Sequence, residues 1–134
     1  MRQLIIIMLC CLCIAPTVFA ASYDGSAPLL CAAISIQECS ADSSECHLRM
    51  ATEVNLPQFI QVDVAQKKID TIGPEKRSAT IQHLQTFDNS IAMQGGQVGR
   101  SWSIVIAKET GQMSASVVDD GVGFVIFGAC TPRS

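Results

Sequence analysis

After about residue 20, apolar and polar positions alternate with a period of two. Ile60, Val62 and Val64 fall on one side of an extended segment, with Gln61 and Asp63 on the other. Trp102, Ile104 and Ile106 repeat the pattern, and so do Met113, Ala115 and Val117. Successive side chains of a strand point to opposite faces, so each run predicts a strand with one dry and one wet face. The segment from Val122 to Cys130 is apolar on both sides, with Phe124 and Ile126 on one and Val125 and Phe127 on the other. That pattern predicts a strand covered on both faces.

Turn residues punctuate these runs. Gly95-Gly96 precedes the Trp102 segment, Glu109-Thr110-Gly111 follows it, and Asp119-Asp120-Gly121 leads into the last strand. Asp-Gly suits a tight hairpin because glycine accepts positive φ. Strands are expected near 28–36, 58–64, 67–72, 79–86, 90–94, 101–107, 112–118 and 122–130. Regular spacing with turn signals indicates an all-β antiparallel meander that closes into a small barrel, with a sandwich as the alternative. Residues 37–57 break the pattern. They are polar, hold two cysteines and end in Leu56-Pro57. They read as one long loop with a turn of helix near Leu48–Val54.

The N-terminus changes the accounting. Met1-Arg2-Gln3 is followed by an apolar run from Leu4 to Ala15, and Val18-Phe19-Ala20 ends in a small residue. A charged start, an apolar middle and a small-residue exit describe a secretory signal, with cleavage expected after Ala20. The run is too short to cross a roughly 30 Å hydrocarbon core as a helix. The domains are therefore 1–20, signal peptide, and 21–134, a single all-β domain, with no membrane span after cleavage. Losing Arg2 leaves eight Lys/Arg against twelve Asp/Glu, a net charge of −4 with neutral histidines. A mildly acidic domain without a basic patch is a poor match for nucleic acid.

Of seven cysteines, Cys10, Cys11 and Cys13 leave with the signal. Cys31, Cys39, Cys46 and Cys130 remain, an even count that reads as two disulfides with three possible connectivities. Cys39 and Cys46 lie in one flexible, Ser/Asp-rich stretch and are expected to clip the 37–57 loop. Cys31 and Cys130 then pair, tying the first predicted strand to the last. Cys39, Cys46 and His47 could also be read as a metal or haem cluster. Haem attachment needs Cys-x-x-Cys-His, and zinc needs reduced thiolates, so no metal or cofactor is expected.

No catalytic constellation stands out. His47 and His83 are the only histidines, and no nucleophile-elbow pattern accompanies them. Asp119-Asp120 reads as hairpin chemistry. Gly95-Gly96-Gln97-Val98-Gly99 lacks the lysine of a phosphate loop and reads as a turn. The lone tryptophan, Trp102, falls on a dry face, as a core residue or as the lining of a ligand cavity.

The segments Pro28-Leu29-Leu30-Cys31-Ala32, Glu38-Cys39, Cys46 and Asn55-Leu56-Pro57-Gln58-Phe59 resemble the first half of a family of small exported bacterial proteins of unknown function. Gln94-Gly95, Trp102-Ser103, Thr110-Gly111 and Phe127-Gly128-Ala129-Cys130-Thr131 continue the resemblance. It implies a periplasmic or secreted setting and no activity. Two functions follow from the chain as a whole. One is a barrel that binds a small apolar or amphipathic ligand. The other is a protein-interaction or inhibitor module that meets a periplasmic protein through the 37–57 loop. An enzyme is the weaker third.

Overall fold

The computed structural model describes residues 22–133, so the signal expected at 1–20 lies outside the described residues. Ten strands follow one another: β1 (Leu29–Ser40), β2 (His47–Arg49), β3 (Phe59–Asp63), β4 (Lys68–Ile72), β5 (Ser78–Thr80), β6 (His83–Thr86), β7 (Ser90–Gln97), β8 (Arg100–Ala107), β9 (Gln112–Asp119) and β10 (Val122–Pro132). They form one sheet in the order β5-β4-β3-β1-β10-β9-β8-β7-β6, with β2 attached to β1. Every pairing is antiparallel. The meander is therefore a single curled sheet, and the sandwich alternative does not form.

The two outer strands of that path, β5 and β6, are consecutive in the chain. The Ile81 N–H donates to the Lys67 carbonyl at 2.9 Å, on the β3–β4 side. The next amide, Gln82, donates to the Gln94 carbonyl of β7, also at 2.9 Å. Residues 78–86 thus act as one bent stave, shared first with β4 and then with β7. It corresponds to the strand expected at 79–86. Counting it once and setting β2 aside, eight staves surround the interior. Eight is the number at which a barrel is just wide enough to be filled by side chains or to hold one small ligand.

On the opposite side, β1 pairs with β10 along its whole length, from Leu29↔Pro132 to Ser40↔Val122. Cys31 and Cys130 face one another in that register and form a disulfide with a Cα–Cα distance of 3.9 Å. A second disulfide joins Cys39 to Cys46. Both expected bridges are present, and two disulfides mark an oxidising, extracytoplasmic environment. Among the described residues, no helix is long and apolar enough to cross a membrane.

Three expectations need correction. The 37–57 segment is not one long loop. β1 continues to Ser40, and β2 returns beside it with Gln37↔Leu48 and Glu38↔His47 in register, because the Cys39–Cys46 bridge holds the turn closed. The helical turn is a single 3-10 turn at Ala51–Glu53, whose Glu53 carboxylate accepts from the Met50 N–H at 2.7 Å. Gly95 and Gly96 are not a turn. Both lie inside β7, and the chain reverses at Val98-Gly99. Finally, β10 is covered on one face only: Phe124 and Ile126 are buried, whereas Val125 and Phe127 are 40% and 49% exposed.

The core falls into two clusters. One fills the floor of the barrel with Leu29, Cys31, Val62, Ile81, Ile91, Met93, Ile106 and their neighbours. The other, around Ile36, Phe124 and Ile126, is capped by Ala51 and Leu56 from the 3-10 turn and its exit. Removing both sulfurs of Cys31–Cys130 frees a chain segment 99 residues long, a loss of about 4.7 kcal/mol on the chain-entropy account, whereas the short clip is worth about 2.5 kcal/mol. Urea unfolding of the Cys31→Ala/Cys130→Ala and Cys39→Ala/Cys46→Ala variants should show the larger loss for the first. The reverse ranking would contradict the role assigned to the β1–β10 closure.

Candidate functional site

Following the inward-facing positions from floor to rim shows why a cavity forms. On β8 they run Ile106, Ile104, Trp102, Arg100; on β9, Met113, Ala115, Val117, Asp119; on β5 and its approach, Ile81, Ala79, Arg77. Gln58, just before β3, Thr71 near the end of β4 and Gln97 at the end of β7 complete the rim. Large apolar side chains close the floor. At mid-height Ala33, Ala79 and Ala115 are too small to meet across the interior, and a cavity of about 190 Å³ remains between the two core clusters. Its wall is apolar at depth, and its rim carries Gln58, Thr71, Arg77, Gln97 and Arg100.

Trp102 lies in the cavity wall, on the dry face where the alternation puts it. Its place depends on Gly95, its cross-strand partner on β7. A Cβ at residue 95 would sit 2.4 Å from Cζ2 of the indole and 2.7 Å from the Thr80 carbonyl oxygen. The indole occupies the space that a side chain at 95 would take, and this explains a glycine within a strand. In sequence the Gly95-Gly96 pair reads as a turn because a glycine that admits a neighbour and a glycine that bends the chain look alike.

The rim is electrostatically asymmetric. Arg100 Nε and Nη2 both donate to Asp119 Oδ2, at 2.9 and 2.6 Å. These bonds and the Asp120 N–H hold the Asp119 carboxyl below its ordinary value. Asp119 is therefore a partner to the rim as well as a hairpin residue. Asp70, outside the rim, is lowered first by the Ser78 hydroxyl and then by Lys68. Arg77 donates from Nη1 to the Asn55 carbonyl at 3.2 Å and forms no ion pair among the described residues. The residues lining the cavity include two arginines and no carboxylate, in a chain whose net charge is −3.

His47 and His83 are both exposed, on β2 and β6, and neither lines the cavity. Cys39 and Cys46 are joined to each other and offer no thiolate to a metal beside His47. Among the described residues no group of three His, Cys, Asp or Glu side chains is placed to hold a metal ion. The cavity chemistry is that of apolar contact at depth and hydrogen-bond donation at the mouth.

Sequence reasoning missed a second surface. On the outside of the barrel, Val125, Gln37 and Leu48 align across β10, β1 and β2, while Ile72, Phe59 and Ala32 align across β4, β3 and β1. Ile34 stands where the β1–β10 register shifts between Ala33 and Ser35, and is 74% exposed; Leu48 and Met50 are 70% and 65% exposed. The sequence signal was present in the two-sided apolar character of β10, but it was assigned to burial.

Comparison of the chain with models of protein families finds no match, and comparisons with the curated proteins and with solved structures find none either. The acid behaviour of this region follows from two carboxylates, Asp119 at the rim and Asp70 outside it. Their folded values lie below the unfolded value of about 3.9, so their contribution is present above that value and is lost as pH falls through the folded one. Thermal unfolding should give a midpoint that is flat with respect to these groups from pH 7 to about 5 and falls below about pH 4. Asp119→Asn should flatten part of that fall, and an unchanged acid profile in this variant would contradict the role of the Arg100 pair.

Proposed function

We propose that the chain is an exported, barrel-like binding protein whose interior takes a small apolar or amphipathic ligand. The observation that carries this reading is the incomplete filling of the barrel at the level of Ala33, Ala79 and Ala115, beneath a polar rim. Protein interiors normally pack to crystal-like density, so three small residues that leave a common space call for an explanation. The cavity is somewhat larger than the roughly 150 Å³ that accepts benzene and smaller than sites for drug-sized molecules. Export, a periplasmic or secreted location and kinship with small exported bacterial proteins belong to the same proposal. They rest on the three-part N-terminal pattern, the two disulfides and the residues quoted above.

Ala115→Leu tests the cavity directly. If the space is available, the added carbons enter it, and stability should stay within about 1 kcal/mol of the parent rather than fall by the 1–3 kcal/mol typical of overpacking. The same variant should lose the extra mass of any ligand that native mass spectrometry finds on the parent protein purified from its exported form. A large destabilisation, with ligand occupancy unchanged, would remove this reading.

The exposed apolar surface around Ile34, Leu48 and Met50 favours a second reading, an interaction module whose partner is a protein met outside the cytoplasm. The clipped hairpin presents Leu48 and Met50 in a fixed position, so less ordering entropy is lost on contact. Leu48→Asp should leave the unfolding midpoint nearly unchanged and weaken capture of the partner from an extracytoplasmic extract at least tenfold. Unchanged capture would place the partner surface elsewhere.

A further inference from the structure

We infer that the ligand of the barrel cavity is a monoanionic amphiphile, a carboxylate on an apolar tail of about six to eight carbons, with the carboxylate held by Arg77 at the rim. The inference rests on the cavity reading above and adds the identity of the head group. Arg77 continues the inward-facing series of Ile81 and Ala79, so its stem leaves the sheet on the cavity side. The Thr71 N–H donates to the Arg77 carbonyl at 2.9 Å and fixes the backbone there.

Two cations stand at the mouth, and they are not equivalent. Arg100 is occupied: two of its nitrogens donate to the single Asp119 oxygen, which neutralises it. Arg77 has one donor engaged, to a neutral carbonyl, and its charge is uncompensated among the described residues. The lining holds no carboxylate to repel an anion, and the one beside the rim, Asp119, is already paired with Arg100. One free guanidinium presents a planar fork that matches one carboxylate, through two parallel N–H···O bonds. A dianionic phosphate would call for more than one uncompensated cation. The tail length follows from the volume: about 190 Å³, against roughly 150 Å³ for the six carbons of benzene.

Trp102 is the only tryptophan in the chain and lines the cavity, so its fluorescence reports occupancy without a label. The probes are octanoate, octanol and octylammonium at pH 7, the two ions below their micelle concentrations and octanol below its solubility limit. Octanoate should bind about tenfold more tightly than octanol, and octylammonium more weakly than either. Arg77→Gln should reduce octanoate to the affinity of octanol and leave octanol unchanged. Arg77→Lys, which keeps the charge without the fork, should fall between. Arg77 is exposed and outside both core clusters, so the variants keep the parent fold, which near-UV circular dichroism checks. Equal affinities for octanoate and octanol, or an octanoate affinity indifferent to Arg77→Gln, would overturn the head-group assignment and leave the apolar cavity standing. Failure of all three probes to bind would overturn the cavity reading and this inference with it.

Discussion

The antiparallel pairing of β1 with β10 is the contact on which the rest of the fold depends. It joins the two ends of the domain along the full length of both strands, and it is the one long-range closure the meander needs. Of the other strand pairs in the barrel, β1–β3 is joined through the 41–58 segment that carries β2 and the 3-10 turn, and the rest are formed by short connections. Without β1–β10 the sheet would have two long free edges, each a row of unpaired backbone groups. With it, the only interruption of the circuit lies at Ile81–Gln82, where one chain run passes from β4 to β7. The Cys31–Cys130 bridge sits inside this pairing, in the floor cluster, so the covalent and hydrophobic constraints act at the same place.

The closed floor in turn makes the upper interior usable. Because Leu29, Cys31, Ile91, Met93 and Ile106 pack densely below, the small residues above them can leave space without loosening the whole barrel. The second cluster, capped by Ala51 and Leu56, stiffens one wall of that space. Trp102 supplies another wall, and Gly95 is the position that lets it lie flat. The rim residues arrive there by continuing the same period-two series that builds the floor. Fold and site are thus two stretches of one pattern, apolar and then polar.

Much of this was legible in the residues. The period of two placed Trp102, Ile104, Ile106, Met113 and Ala115 on the inner face, and the even count of cysteines after residue 20, with their spacing, pointed to both bridges. Local signals failed where a residue's role depends on a partner distant in the chain. Gly95 is explained by an indole seven positions away, Val125 and Phe127 by the absence of a second layer over β10, and the 37–57 segment by a strand pairing that its polar composition concealed. The cavity itself was not readable. That Ala33, Ala79 and Ala115 border one common space is a property of the closed register, and no local window contains all three. Arg77 gives no local sign of its place at the rim for the same reason.

The short Cys39–Cys46 bridge also has a consequence in time. On the export proposed above, with the N-terminal signal removed, the chain emerges N-terminus first into an oxidising compartment, and Cys31, Cys39 and Cys46 are present before Cys130. The gap from Cys46 to Cys130 is 84 residues, about 4 to 17 seconds at the usual pace of synthesis. During that interval Cys31 has two wrong partners and no right one. Cys39 and Cys46 are only seven positions apart, and a loop of that size closes in about 10–100 ns. Their encounter is far more frequent than any with a more distant thiol. Once joined, they are withdrawn as rivals, and Cys31 is left waiting for the only thiol still to come. The small clip is in this sense a proofreading device for the large one, effective before the barrel exists.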